Sequence, residues 1–172
     1  MKKGKSPTRT LLAEEALARS EEKYRALVEQ SIQALIIIQD FRIVFVNPMI
    51  TRITGYSSDE LLSLPPEKVR NLIHPEDQEL VWGRLADRLA GKTVPERYEY
   101  RGIKKDGSVI WLEMHARLVQ YLGRPAVQGA VVDITERKRA EEKLNRTIAE
   151  LSSLCRAARA VSSSLNSEQV LK

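Results

Sequence analysis

Two short apolar runs set almost end to end constrain this chain more than any other feature of it. Ala34-Leu35-Ile36-Ile37-Ile38 is rich in β-branched residues and bounded by Asp40, which predicts a strand buried on both faces. A tight turn near Asp40-Phe41-Arg42 leads into the second run, Ile43 to Val46. Strands joined by so short a connection form an antiparallel hairpin. The first run is also the longest apolar stretch in the chain, and a membrane-spanning helix needs about 20 such residues.

Helix signals follow in close order. Asn47-Pro48 sets an N-cap and a first helical residue, and Gly55 closes that helix. Ser57-Ser58-Asp59-Glu60 has the spacing of a capping box and opens a second short helix through Leu61-Leu62. Pro65-Pro66 interrupts, and a third helix is expected towards Ile73. His74-Pro75-Glu76-Asp77 restarts the chain with Pro and acidic residues at a helix N-terminus. That helix is predicted to run from Pro75 to about Ala90 and to stop at Gly91.

After Pro95 the period changes to two. Arg97-Tyr98-Glu99-Tyr100-Arg101 alternates charge with aromatic, so the tyrosines share one face. Lys105-Asp106-Gly107-Ser108 is a hairpin turn, Val109 to Tyr121 a long strand, Leu122-Gly123-Arg124-Pro125 a second turn and Ala126 to Val132 the last strand. Two strands, a block of helices and a three-stranded meander make an α+β domain, with an antiparallel sheet and its helices on one face. Alternation puts Tyr98, Tyr100 and Gly102 on the inner face, with Leu112, Met114 and Ala116 on the next strand and Val127, Gly129 and Val131 on the last.

The flanks are helical. Residues 1 to about 9 are basic, are broken by Gly4 and Pro7, and are expected to fray. Leu11 to about Gln30 consists of good helix formers, with Leu12, Ala16, Leu17 and Ala26 to Val28 as its apolar positions. From Thr135 onward the chain is helical and charged. Leu144, Leu151, Ala158 and Leu165 fall at heptad a, with Ala140, Thr147, Leu154 and Val161 at d. This predicts a parallel dimer seam carried by Leu144, Leu151, Leu154, Ala158 and Val161. The seam ends in Ser162-Ser163-Ser164, after which Asn166 starts a further helix.

Composition removes several function classes. The chain has 172 residues, a formal net charge of +5 and one cysteine. No aromatic residues interleave with a basic run, so nucleic acid is not an expected partner. A single cysteine allows no internal disulfide, and no signal-peptide pattern follows the basic start, so a cytoplasmic location is expected. Gly91-Lys92-Thr93 is not a phosphate-binding loop, because Ala86 stands where that motif needs Gly. Asn145-Arg146-Thr147 matches a glycosylation acceptor only by spacing. Zinc-ligand spacing and a nucleophile elbow are both missing.

Six pieces of this sequence together resemble the PAS family. They are Ser20-Glu21-Glu22-Lys23-Tyr24-Arg25, Val46-Asn47-Pro48, Thr54-Gly55-Tyr56-Ser57, His74-Pro75-Glu76-Asp77, Lys104-Lys105-Asp106-Gly107-Ser108 with Trp111, and Asp133-Ile134-Thr135-Glu136-Arg137-Lys138. They occur in the family's order over about residues 20 to 140. The resemblance implies a five-stranded antiparallel sheet with short helices over one face, enclosing a small pocket. It also implies a sensory module upstream of an effector such as a histidine kinase, and the tail from Leu151 to Leu171 is similar to the helix that leads into a GAF domain.

The family's strand order further implies that Ile37 and Gln39 share the inner face, with Phe45, Ile50 and Leu85 nearby. The candidate pocket is therefore Ile37, Gln39, Phe45, Ile50, Leu85, Tyr98, Tyr100, Leu112, Met114, Val127, Gly129 and Val131. The bland reading is that these side chains simply fill a core. Haem needs an axial ligand, usually His, facing the pocket. His74 falls in a loop, and alternation sends His115 to the outer face with Trp111 and Glu113. Covalent flavin, as in the light-sensing branch of the family, needs a cysteine in the helical block, whereas Cys155 sits in the C-terminal helix. The cofactor stays unknown: haem and covalent flavin are disfavoured, while non-covalent flavin, a small organic ligand and an empty relaying pocket remain open.

These readings divide the chain into residues 1–30 (basic start and N-terminal helix), 31–134 (sensory domain), 135–165 (signalling helix) and 166–172 (start of a following domain). Asp133, Ile134 and Thr135 form the junction that passes a signal from sheet to helix, with Asp133 and Glu136 at capping-box spacing. The expected function is a non-catalytic, homodimeric PAS module that detects a small ligand or partner for a downstream effector. The alternative is an interaction domain with no small-molecule ligand, using the outer sheet face around Trp111 and His115.

Overall fold

The computed structural model describes the backbone of residues 7–169 and the side chains of residues 15, 18–23 and 25–156. The two apolar runs pair antiparallel as β1 (Ala34–Gln39) and β2 (Arg42–Val46), with Gln39 opposite Arg42. That register leaves Asp40 and Phe41 as the whole loop, and both take left-handed φ values of 51° and 60°. This is the geometry of a type I′ turn, whose twist matches that of the strands. The Phe41 ring packs 5.3 Å from that of Trp82, a contact that offsets the backbone cost of a non-glycine residue there.

β3 (Arg97–Ile103), β4 (Val109–Tyr121) and β5 (Arg124–Asp133) form the meander, and the five-stranded antiparallel sheet has the order β2-β1-β5-β4-β3. The second two-residue turn is Leu122-Gly123, at φ 50° and 76°. It is tighter than expected: Tyr121 pairs with Arg124, so the last strand begins two residues before Ala126. Pro125 is tolerated because it lies at the start of its strand. The two hairpin ends are then tied together. The Gln39 side-chain amide donates to the carbonyls of Tyr121, Arg124 and Pro125 at 3.2, 3.3 and 3.3 Å, and Asp40 pairs with Arg124.

Helices α2 (Pro48–Thr54), α3 (Ser58–Ser63), α4 (Pro66–Arg70) and α5 (Gln78–Leu89) cross one face of the sheet, after the N-terminal helix α1 (Pro7–Glu29). Gly55 closes α2 in the left-handed region at φ 79°, and Ser57 and Glu60 form the predicted capping box. Pro75–Asp77 is a single 3₁₀ turn rather than the first turn of α5. Asn47 precedes α2 but caps nothing with its side chain. Its Oδ1 accepts the Leu35 amide at 2.8 Å, while its Nδ2 donates to the carbonyls of Gln33 at 2.9 Å and Val28 at 3.2 Å. A residue read as a helix cap therefore joins α1, β1 and β2.

The first unit of the chain ends at Asp133 and the second begins at Ile134. The second is one helix, α6 (Thr135–Gln169). Its backbone stays helical through Ser162-Ser163-Ser164, where a break was expected; serine weakens a helix only modestly, and no Gly or Pro is present to stop it. The side chains of Leu12, Ala16, Leu17, Ala158, Val161 and Leu165 lie outside the described residues, as do residues 1–6, where fraying was expected.

Leu122 is a test of this turn chemistry, because its side chain is 85% exposed and its backbone is left-handed. Leu122→Asn is expected to raise stability by about 1 kcal/mol, since Asn tolerates that φ and the lost contacts are few. Urea denaturation measures this, and a stability unchanged or lowered would contradict the turn assignment.

Candidate functional site

The four short helices do not close completely onto the sheet. Between them lies a partly open cavity of about 90 Å³, lined by residues from β1 to β5 and from α2 to α5. β1 contributes Ile36 and Ile38, β2 Ile43, β3 Tyr98, Tyr100, Gly102 and Ile103, β4 Ile110, Leu112, Met114 and Ala116, and β5 Val127, Gly129 and Val131. From the helices come Ile50, Thr54, Leu61, Val69, Val81, Trp82, Leu85 and Arg88, with Leu72 and Ile73 from the segment after α4. Two glycines on the sheet floor allow close approach. A Cβ on Gly129 would stand 2.6 Å from Met114 Sδ, and one on Gly102 would stand 2.8 Å from Leu112 Cδ1.

Nine of the twelve pocket residues expected from the sequence line this cavity: Ile50, Leu85, Tyr98, Tyr100, Leu112, Met114, Val127, Gly129 and Val131. Ile37, Gln39 and Phe45 do not, and pairing explains why. Ile36 lies opposite Gly129 and Ile38 opposite Val127, and directly opposed residues share a face. Ile37, opposite Gln128 and Phe45, therefore points to the outer face. Gln39 is buried by the hairpin carbonyls it donates to. The β1–β2 register also shifts between Ile37 and Ile38. This break in simple alternation cannot be counted from residue types alone.

Polar groups are few in the lining. Burial pushes the phenols of Tyr98 and Tyr100 above their ordinary range, with Arg88 and Arg84 partly offsetting the effect at Tyr98. Both are therefore neutral at pH 7. Arg84 lies over the Tyr98 ring at 4.6 Å. Arg88, 5% exposed, donates from Nη2 to the Pro95 carbonyl at 2.6 Å. Its Nη1 is buried without a hydrogen-bond partner. Sequence reasoning missed Arg88, although Val81, Leu85 and Arg88 share one helical face and a cation in that stripe is a legible signal.

The lining contains no His or Cys, and ligand pockets usually begin near about 300 Å³. At about 90 Å³ the cavity is smaller than either haem or flavin. His74 instead accepts the Glu76 amide at the start of the 3₁₀ turn. His115 contacts Glu113 at 3.1 Å on the outer face, beside the Arg97–Glu113 pair.

The motif residues hold the frame around the cavity rather than its wall. Asp77 accepts from the Arg101 amide at 2.7 Å and from its guanidinium at 2.9 and 2.8 Å. The His74 amide and the Arg101 carbonyl, 2.9 Å apart, extend this seam between the pre-α5 segment and β3. At the far end of the same hairpin the Lys105 amide donates to Thr54 at 3.0 Å, and its ammonium to Glu60 at 2.6 Å. Asp106 Oδ1 accepts from the Ser108 amide and hydroxyl at 2.8 and 2.6 Å.

A sheet in the order β2-β1-β5-β4-β3 with helices over one face and a cavity beneath is the arrangement the motifs implied. The sequence profile of the PAS fold matches residues 43–131. The chain belongs to the PAS family. It is 32% identical over 146 residues, 83% of its length, to the sensor histidine kinase TmoS of Ectopseudomonas mendocina. It is 29% identical over 126 residues, 73% of its length, to sporulation kinase A of Bacillus subtilis. The chain spans only 15% and 20% of those two proteins. The PAS domain of an HTR-like protein from Haloarcula marismortui superimposes with a TM-score of 0.56 at 25% identity, covering 71% of this chain and 98% of that domain. As a PAS module the chain is a sensory unit of signal transduction.

The Asp77–Arg101 seam makes a pH prediction. Hydrogen bonds from Arg101 hold the Asp77 carboxyl below the usual carboxylate range. Its stabilisation is therefore full above the unfolded value of about 4 and is lost as pH falls through the lower folded value. Asp77→Asn is expected to cost about 2 kcal/mol at pH 7. The gap to the unsubstituted protein should close below about pH 4, as measured by urea denaturation. A gap constant from neutral to acid pH would sink the assignment.

Proposed function

We propose that this PAS module is the input part of a longer sensor histidine kinase, cytoplasmic and without catalysis of its own. It takes a small ligand into the cavity and passes the result through α6, paired with a second copy, to an effector further along the parent chain. The observation that carries the reading is continuity. β5 forms part of the cavity wall through Val127, Gly129 and Val131, and two residues later it ends at Asp133. Ile134 is buried and α6 opens at Thr135. A change in the cavity therefore acts on the strand that leads directly into the helix. The segments 31–134 and 135–165 are taken as sensor and transmitter on the same ground.

The dimer reading rests on the apolar stripe of α6. Leu144, Ile148, Leu151 and Leu154 are 60, 52, 57 and 65% exposed, too many large apolar side chains for a solvated helix. Ile148 was not in the expected seam, and Thr147, which falls at a d position, donates its hydroxyl to the Lys143 carbonyl. The stripe Leu144-Ile148-Leu151 has the spacing of one continuous face. Sedimentation equilibrium is expected to find a dimer, and Leu151→Lys should weaken it about tenfold or more by placing charge in the seam. A monomeric parent protein, or a dimer indifferent to Leu151→Lys, refutes this part of the proposal.

The alternative, an interaction domain with no ligand, draws on the small size of the cavity and on the outer face around Trp111 and His115. Arg101 lies over the Trp111 ring at 5.6 Å there. Native mass spectrometry separates the two: a discrete bound mass supports the sensor, while bare protein with partner binding sensitive to Trp111→Ala supports the alternative.

A further inference from the structure

The cavity wall is aliphatic and aromatic almost throughout, yet one cation stands in it. Arg88 follows Val81 and Leu85 on the inward face of α5, where burial leaves it 5% exposed. A guanidinium stays charged at any relevant pH, and a buried charge without a partner is strongly disfavoured. The Pro95 carbonyl accounts for Nη2, and the Tyr98 phenol oxygen also accepts from this guanidinium. Nη1 is buried with no hydrogen-bond partner. The neighbouring carboxylates are engaged elsewhere, Asp87 with Lys92 and Glu96 with Arg117.

Deepening the ligand-sensing reading above, on which it rests, we propose that the cavity is selective for a short-chain aliphatic monocarboxylate, its carboxylate held by Arg88 Nη1 and its tail by the surrounding apolar wall. The Nη2–Pro95 bond fixes the plane of the guanidinium before any ligand arrives. The Tyr98 phenol, neutral in its buried setting, accepts from Arg88 and keeps its own proton free to donate to the bound carboxylate. Arg84 adds positive potential through a further buried Nη1 without a partner. The opposite wall offers Ile36, Leu112, Met114 and Val131, which suit an alkyl tail and would leave a second carboxylate unpaired. Size sets the chain length. A dry cavity of about 150 Å³ takes the six carbons of benzene, so one of about 90 Å³ has room for a tail of roughly three carbons beyond the carboxylate held at Arg88.

Butyrate, butyramide and 1-butanol test this on the whole chain, by calorimetric titration and amide NMR shifts at fixed ionic strength. Butyrate is expected to bind at least about tenfold more tightly than either neutral analogue, with shifts centred on α5 and β3. Arg88→Met should bring the three within about twofold of one another. Ala116→Leu, which fills the cavity and keeps Arg88 in the chain, should abolish binding of all three. Equal binding of butyrate and 1-butanol to the unsubstituted protein overturns the carboxylate assignment but leaves a ligand pocket standing. A butyrate preference that survives Arg88→Met overturns it likewise. Binding of none of the three overturns both this inference and the small-ligand reading beneath it. If Arg88→Met does not fold, the comparison of butyrate with its neutral analogues on the unsubstituted protein decides alone.

Discussion

The buried amide of Asn47, 1% exposed, is the joint on which this PAS domain turns. One side chain satisfies the Leu35 amide at the start of β1 and the carbonyls of Gln33 and Val28. Each of those groups, left unpaired in a buried setting, would cost about 1–3 kcal/mol. Asn is the residue that can do this, since its amide accepts at one atom and donates at the other. Because Val28 lies in the last turn of α1, the same side chain also fixes where the N-terminal helix leaves the sheet. A helix otherwise exposed at Leu27 is thereby fastened to the sensory unit through a polar contact.

The family motifs and the cavity are separate layers of the structure. His74 to Asp77 bind β3 through Arg101, and Thr54, Glu60 and Lys105 lock the β3–β4 turn against α2 and α3. These contacts set the height of the helices above the sheet, and with it the cavity. The residues that face the cavity come mostly from outside the motifs. A frame held by hydrogen bonds can therefore stay fixed while the wall varies, which is what a module that serves many stimuli requires. In this chain the varied wall contains Arg88, and the preference proposed for it follows from that one side chain.

Much of this was legible in the residues. Period two after Pro95 put Tyr98, Tyr100, Leu112, Met114, Val127, Gly129 and Val131 on one face, and each lines the cavity. Gly55, the Ser57 capping box and the Asp106-Gly107 turn were readable because each depends on a short-range requirement of backbone geometry. Ile37 and Gln39 were misplaced because the apolar run of β1 has no alternation to reveal its phase, and Phe45 of β2 with them because it lies opposite Ile37. Arg88 was overlooked because an arginine on a helix is normally solvated, and only the 3.6-residue spacing from Leu85 hinted otherwise.

The sequence by itself determined the order of strands and helices, the turns, the family, and the inner face of each alternating strand. Those properties depend on neighbours a few residues apart, and local chemistry is sufficient to set them. Tertiary structure decided the phase of β1, because opposition to Gly129 and Val127 across the sheet selects its inward residues. It also moved Asn47 from a helix cap to a three-way clamp, and it placed a charged guanidinium against an apolar cavity. These outcomes depend on groups distant in the chain arriving at one place, and no local pattern encodes which group will meet which.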